Sequence, residues 1–276
     1  MAFPRMEILK KFREKIARGE PIIGTGAGTG LSAKCAEMGG ADFIVIYNSG
    51  RYRMAGRGSL AGMLPYGDAN QIIMEMAGEV LPMAKKIPVL AGVCGTDPFR
   101  LMEVFLKEVD AIGFSGTMNY PTVGLIDGIF RQNLEETGMG YDLEVDMIRI
   151  AHELRLFTCT YVFNAEEAAK MAKAGADVLV AHMGLTTKGT IGAKTAMTIE
   201  EAAKRVQEIQ DVGKKVNPDV WVLCHGGPIA EPEEAQYVLS HTKGVVGFVG
   251  ASSMERLPTE VAITDQIKRF KVLKFS

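Results

Sequence analysis

The chain has 276 residues, 47% of them hydrophobic, and a formal net charge of −2 with scattered Lys and Arg, so it can bury a sizeable core but offers no basic stripe to nucleic acid or an anionic membrane. Its four cysteines, Cys35, Cys94, Cys159 and Cys224, form no CxxC pair, which argues against a structural zinc site and a secreted disulfide framework and fits a reducing cytoplasm. The charged N-terminal stretch lacks the apolar segment of a secretion signal, and no apolar run approaches the ~20 residues of a membrane span.

In chain order, an amphipathic helix over Glu7 to Ala17 precedes everything else. Apolar, β-branched runs then predict strands at Pro21 to Gly24, Phe43 to Tyr47, Pro88 to Gly92, Ala111 to Phe114, Phe157 to Val162, Val178 to His182, Val220 to Cys224 and Val245 to Val249. Helices are expected between them at Leu31 to Gly39, Ala69 to Ala84, Pro98 to Lys107, Leu143 to Glu153, Asn164 to Ala174, Ile199 to Lys215, Pro232 to His241 and Thr259 to Phe270. Strict strand-helix alternation implies parallel strands with right-handed crossovers, and eight such units favour a closed (β/α)8 TIM barrel over an open doubly wound sheet. A single domain follows, with residues 1–20 as a helical extension covering the barrel's bottom or packing on its side, and 21–276 as the barrel. The GGAD and AGAD strings before strands belong to the bottom turns and to stability.

In such a barrel the chemistry sits at the C-terminal ends of the strands and in the loops that follow. Gly226 and Gly227 after strand seven, and Gly250, Ala251, Ser252 and Ser253 after strand eight, form an expected anion cradle, where small residues let backbone N–H groups reach a phosphate or carboxylate. GTGAGTG, with Gly24, Gly26 and Gly28, resembles a dinucleotide loop only weakly. Strand two ends in Tyr47-Asn48-Ser49 without the acidic residue that a ribose needs, so no nicotinamide cofactor is expected.

His182 and His225 end neighbouring strands six and seven, as general acid and base or as two ligands of a divalent metal, Mg or Zn. His152 and His241 fall on helices and are read as structural. Arg51, Arg53 or Arg57 is a candidate clamp for a carboxylate or phosphate, Asp68 a proton acceptor or metal ligand, and Tyr66 and Asn70 lie in the same polar loop. Cys94 is a candidate nucleophile and Asp97 a helix cap. Further strand-end candidates for ligand contact are Thr25 and Gly26, Asn48 and Ser49, Ser115 and Asn119, Tyr161, and Thr186. The glycine-punctuated stretch from Asn119 to Gly140 reads as a lid or a subunit contact, and Met183 to Ala193 as a second cover.

LSAKCAEMGGADFIVIYNSG followed by GMLPYGDAN resembles the phosphoenolpyruvate mutase and isocitrate lyase superfamily. Over nearly the whole chain, IYNSGRYRMAGRGSLAGMLPYGDAN, FSGTMNYPTVGLIDG, AHMGLTTKGTIGA, CHGGPIAEP and GFVGASSMERLP are similar to the phosphoenolpyruvate hydrolase-like family, also named TIM-barrel signal transduction proteins, which resembles the C-terminal domain of certain plant virus-resistance proteins. The resemblance implies a barrel acting on a small oxo-acid or phosphorylated carboxylate by hydrolysis or lyase chemistry, with a metal-assisted retro-aldol or retro-Claisen cleavage and a non-catalytic metabolite sensor as alternatives. A small anionic metabolite, no nucleic acid or membrane, and a homo-oligomer are the expected partners. The superfamily's acidic magnesium ligands after strands three and four are replaced here by VCGTD and FSGT, and its Lys-Cys-Gly-His loop by Asn119-Tyr120-Pro121-Thr122, so the resemblance does not carry that metal site or loop chemistry across.

Overall fold

The computed structural model describes residues 2–275. Its eight strands pair in parallel, each with the next in sequence, and the last returns to the first, which closes the sheet and excludes the open alternative. The strands are β1 (Ile22–Gly26), β2 (Phe43–Ile46), β3 (Val89–Val93), β4 (Gly116–Asn119), β5 (Phe157–Val162), β6 (Val178–His182), β7 (Trp221–His225) and β8 (Val245–Gly250). The helices are α1 (Arg5–Ala17), α2 (Gly30–Met38), α3 (Asn48–Met54), α4 (Ala69–Val80), α5 (Met102–Ile112), α6 (Gly128–Glu136), α7 (Asp142–Glu153), α8 (Ala165–Lys173), α9 (Ile199–Val216), α10 (Pro232–Ser240) and α11 (Arg256–Lys271). No helix among the described residues is long and apolar enough to cross a membrane.

Successive side chains of a strand face opposite ways, and this period of two sorts the apolar residues into two cores. Leu179, Ala181, Val222 and Cys224 pack outward under the helices. Phe43, Val45, Phe157, Cys159, Val178, Val180, Leu223 and Val249 fill the barrel. The same alternation carries Tyr47, Tyr161, His182 and His225 to the upper end of that filling, where the stack of apolar side chains gives way to polar ones.

The lower end is plugged by α1. Its Phe12 is buried against the rings of Phe43, Phe157 and Trp221, at centroid distances of 6.0, 5.7 and 5.9 Å. Of the two placements open to the N-terminal helix, the structure takes the bottom. The aspartates of GGAD and AGAD tie it there. Asp42 accepts from the Ile23 N–H and from Lys15, and Asp177 accepts from the Thr158 N–H while pairing with Arg5.

One strand differs from the sequence reading. Ala111 and Ile112 form the last turn of α5, Gly113 closes that helix in a left-handed conformation at φ 117°, and β4 starts only at Gly116. Ser115 is therefore at the bottom of β4, where its hydroxyl accepts from the Phe3 N–H at 2.9 Å, and it is not a ligand residue. Two helices also stand where loops were expected, α3 after β2 and α6 in the stretch after β4. The C-terminal α11 buries only Arg256 and Leu257 and leaves Val261, Ile263, Ile267 and Phe270 exposed.

Because Phe12 fills a dry space among three aromatic rings, Phe12→Ala should destabilise the barrel by about 3–5 kcal/mol. Urea unfolding checks this; a loss under about 1 kcal/mol would mean that α1 rests on the barrel without plugging it.

Candidate functional site

A cavity of about 180 Å³ opens at the upper end of the barrel. Tyr47, Tyr161, His182, His225 and Ala251 form its floor from the strand ends, while Ser49 and Arg53 of α3, Ser59, Tyr120, Leu125, Thr186, Ser252 and Arg256 form its sides.

His182 and His225 are register partners across β6 and β7, and their rings meet at 4.6 Å between centroids. Backbone groups fix the tautomer of each. The Gly184 N–H donates to His182 Nδ1 at 3.1 Å, so this nitrogen carries a lone pair and the neutral ring holds its proton on Nε2. His225 Nδ1 lies 2.7 Å from the Val249 carbonyl, which only accepts, so this ring is protonated on Nδ1 and keeps its lone pair on Nε2. Neither Nε2 has a partner among the described residues. The cavity floor thus presents one imidazole donor beside one imidazole acceptor. Burial, and then the neighbouring His225, push the His182 pKa well below the histidine value, and burial pushes His225 down to about 4 against the Val249 bond, with Arg53 adding to the fall. Both rings are neutral at pH 7.

Arg53 is the charged group of the site. Its Nε and Nη2 both donate to Glu255 Oε2, at 3.1 and 3.0 Å, and both side chains are buried. Desolvation alone would pull the Arg53 pKa down, but Glu255, with Tyr47 and Tyr120 adding to it, outweighs it and the net shift is upward. The other Glu255 oxygen accepts from the Gly28 N–H and the Ser32 hydroxyl. Gly28 is required there because a Cβ would lie 2.2 Å from the Gly50 carbonyl. Arg53 Nη1 is buried and has no partner among the described residues. Arg256, also buried, lines the cavity and is held by Glu260 at 3.1 Å and the Lys188 carbonyl at 3.2 Å.

The remaining sequence candidates divide by position. Ser49, Tyr161, Thr186, Ala251 and Ser252 line the cavity with Arg53 and the two histidines. Gly26 stands behind the wall, where a Cβ would come within 2.8 Å of Tyr47 Oη. Thr25 is buried in β1 with its hydroxyl on the Gly26 carbonyl, and Asn48 donates to the Gly62 carbonyl. Asn119 is consumed by Glu144 and by the Tyr161 backbone. Gly226 and Gly227 do not form a cradle: the Gly227 N–H donates to the Gly184 carbonyl at 2.8 Å, and its carbonyl accepts from Thr187, joining the loops after β6 and β7. Gly250 and Ser253 also lie outside the lining.

Arg51 points away to Glu75 at 2.7 Å, since residues two apart on α3 face different sides. Asp68 caps α4 through the Gln71 N–H and pairs with Arg100. Asn70 staples α4 to the loop after β3 through Cys94 and Asp97. Cys94 is away from the cavity and burial raises its thiol pKa, which removes the nucleophile reading.

The stretch from Asn119 to Gly140 is tied to its neighbours in this structure, and only Tyr120 and Leu125 of it line the cavity. Glu144 holds its start by accepting from Asn119 and the Val123 N–H, and Arg131 holds α6 to Glu167 and the Val123 carbonyl. Sequence reasoning passed over Glu255, Glu144, Tyr47, Tyr120 and Arg256. The string SSMER contained two of them, but only distant partners give them meaning.

No Asp, Glu or Cys lines the cavity, and among the described residues no group of three or more His, Cys, Asp or Glu is placed to hold a metal. Two imidazoles without a carboxylate do not fit magnesium, which takes oxygen ligands, nor complete a zinc site.

The histidine shifts give stability a definite pH dependence. An unfolded histidine binds its proton near 6.5, His225 in the fold only near 4, so the stability present above pH 6.5 is lost as pH falls through that window. His225→Asn keeps an N–H for Val249. From pH 7 to pH 4 the parent should lose about 3 kcal/mol more than this variant in urea unfolding; equal slopes would show that the ring titrates normally.

Comparison with known proteins places these features in a family. The chain is 63% identical over 267 residues to the ToMV susceptible protein tm-1(GCR26) of Solanum lycopersicum, covering 97% of this chain and 35% of that protein, so it spans about a third of the relative's length. Among solved structures, phosphoenolpyruvate phosphomutase from Streptomyces platensis subsp. rosaceus matches with a TM-score of 0.61 at 14% identity, covering 95% of this chain and 87% of the other. Phosphonopyruvate hydrolase in complex with oxalate and Mg++ matches at a TM-score of 0.55 and 16% identity, over 96% and 88% of the two chains. At such identities these two establish a shared barrel fold. The model of the phosphoenolpyruvate hydrolase-like family matches residues 7–273, and the chain belongs to that family.

Proposed function

We propose that the barrel is an enzyme, a hydrolase or lyase that acts on a small oxo-acid or phosphorylated carboxylate at the cavity above His182 and His225. The observation that carries this reading is the pair of neutral imidazoles in contact, one offering a proton at Nε2 and the other a lone pair, beneath a wall that includes two guanidinium groups and no carboxylate. Each guanidinium is paired with a glutamate behind the wall, so what the lining offers is N–H and O–H donors for an anion and no carboxylate for a cation. Arg53 Nη1, with the hydroxyls of Ser49 and Ser252, binds the carboxylate or phosphoryl end. His182 Nε2–H donates to the oxo group and stabilises charge that develops there. His225 Nε2 accepts the proton of the attacking water or of a substrate hydroxyl, and burial beside Tyr161 and Tyr120 keeps bulk water from that step. The Tyr120 phenol, with its pKa raised to about 12 by burial, stays protonated and donates to the Ser59 carbonyl.

The oxalate bound in phosphonopyruvate hydrolase supports the choice of ligand class. The metal-assisted cleavage through both histidines loses support, because the lining supplies no third ligand. The non-catalytic reading keeps one observation in its favour: an imidazole at about 4 is a weak base at neutral pH, which suits a binding role.

Turnover of a panel of oxo-acids and phosphorylated carboxylates decides between these readings. An active enzyme should show an acid limb of kcat/KM near pH 4 to 5, below the usual histidine range, and His225→Asn should lower kcat by about 100-fold or more. Tight oxalate binding without turnover of any member of the panel would replace the enzyme by a metabolite-binding protein.

A further inference from the structure

We infer that Arg53 takes the place of a divalent cation in this pocket, so that the anionic end of the ligand binds without a metal ion. The inference rests on the oxo-acid reading above and adds to it the source of positive charge.

The argument starts from the donor arithmetic of the Arg53 guanidinium. It has five N–H groups in a rigid fork. Glu255 Oε2 engages Nε and Nη2, and Nη1 is left buried with no acceptor among the described residues. An unpaired N–H on a buried cation is costly, and because Arg53 belongs to the cavity lining, a carboxylate or phosphoryl oxygen that reaches Nη1 relieves that cost with a charge-assisted hydrogen bond.

Glu255 cannot serve a metal in addition. One of its oxygens is occupied twice by Arg53, the other by the Gly28 N–H and the Ser32 hydroxyl. Carboxyl groups in the loops and helices after the strands are committed as well: Asp68 to its helix cap and Arg100, Asp97 to Arg100 and Asn70, Glu144 to Asn119 and the Val123 N–H, and Glu167 to Arg131 and the Phe163 N–H. A magnesium ion in the cavity would therefore meet hydroxyls and neutral imidazoles, with no carboxylate in the lining to bind it and the nearby Glu255 already matched by Arg53. The ligand's own oxygens would be its main ligands, and those same oxygens have the unfilled N–H donors of the Arg53 guanidinium as an alternative.

Arg53 also has the packing of a fixed group. It lies over the Tyr47 ring at 5.7 Å, and a Cβ on Gly26 would come within 3.2 Å of its Nη2, so β1 is trimmed to admit it. A mobile surface arginine would need none of this.

The test is calorimetric titration of the full chain with oxalate, once after exhaustive EDTA treatment and once with excess Mg²⁺. The expected dissociation constants agree within about threefold. A larger gain from Mg²⁺ overturns the inference and leaves the oxo-acid reading intact, whereas no oxalate binding in either buffer overturns both. Arg53→Lys supplies the second arm. It keeps the charge but not the fork, and a folded variant should bind oxalate at least tenfold more weakly, on the order expected for a lost bidentate-capable group. A variant of parental Tm that binds oxalate as the parent does would also overturn it.

Discussion

The buried pairing of Arg53 with Glu255 is the interaction on which the site depends. Glu255 follows β8, Gly28 follows β1 and Arg53 lies on the helix after β2, so one carboxylate gathers three strand ends that are adjacent in the closed barrel. Removing two opposite charges from water costs several kcal/mol per ion, and their attraction does little more than repay it. The pair is therefore poorly explained as a source of stability. Its consequence is positional: a guanidinium held rigidly at the cavity wall with one nitrogen uncommitted. Replacement by apolar residues of similar volume would keep a barrel and remove the guanidinium donors from that part of the cavity wall.

Beneath that pair, strand alternation sets the rest. Two residues beyond Val45, Cys159 and Val180 come Tyr47, Tyr161 and His182, so the same inward face that packs the core ends in groups with polar tips. The aromatic rings pack closely, Tyr161 lying 4.9 Å from His182 and 5.0 Å from His225, and this dry packing is what keeps both imidazoles neutral. Opposite tautomers follow from backbone partners on opposite sides of the hydrogen bond, an N–H from Gly184 for one ring and a carbonyl from Val249 for the other. Which ring offers a donor and which an acceptor at Nε2 is thereby set by the fold before any ligand arrives.

The barrel was legible because strand-helix alternation is a repeated signal, and the two histidines were legible because they end apolar runs. What failed was local. Ala111 and Ile112 look strand-like in composition, yet they finish α5, and shifting the strand by a few residues sent Ser115 from the expected upper end to the bottom. Failing to see α3 as a helix left Arg51 and Arg53 equivalent, although helical geometry sends one to Glu75 and the other into the interior. The glycines after β7 read as an anion cradle, but neither lines the cavity, and the N–H and carbonyl of Gly227 are used between loops. Glu255 lies 227 residues from its partner Gly28, and no spacing rule reaches across such a separation.

A crystal structure of the protein soaked with oxalate in metal-free buffer tests the central claim most directly. The account predicts oxalate in the cavity with one carboxylate oxygen within hydrogen-bond distance of Arg53 Nη1 and another facing the Nε2 atoms of His182 and His225, and no density for a cation between ligand and protein. Oxalate bound away from Arg53, or held there through a metal ion recruited to carboxylates that have left their present partners, would contradict it.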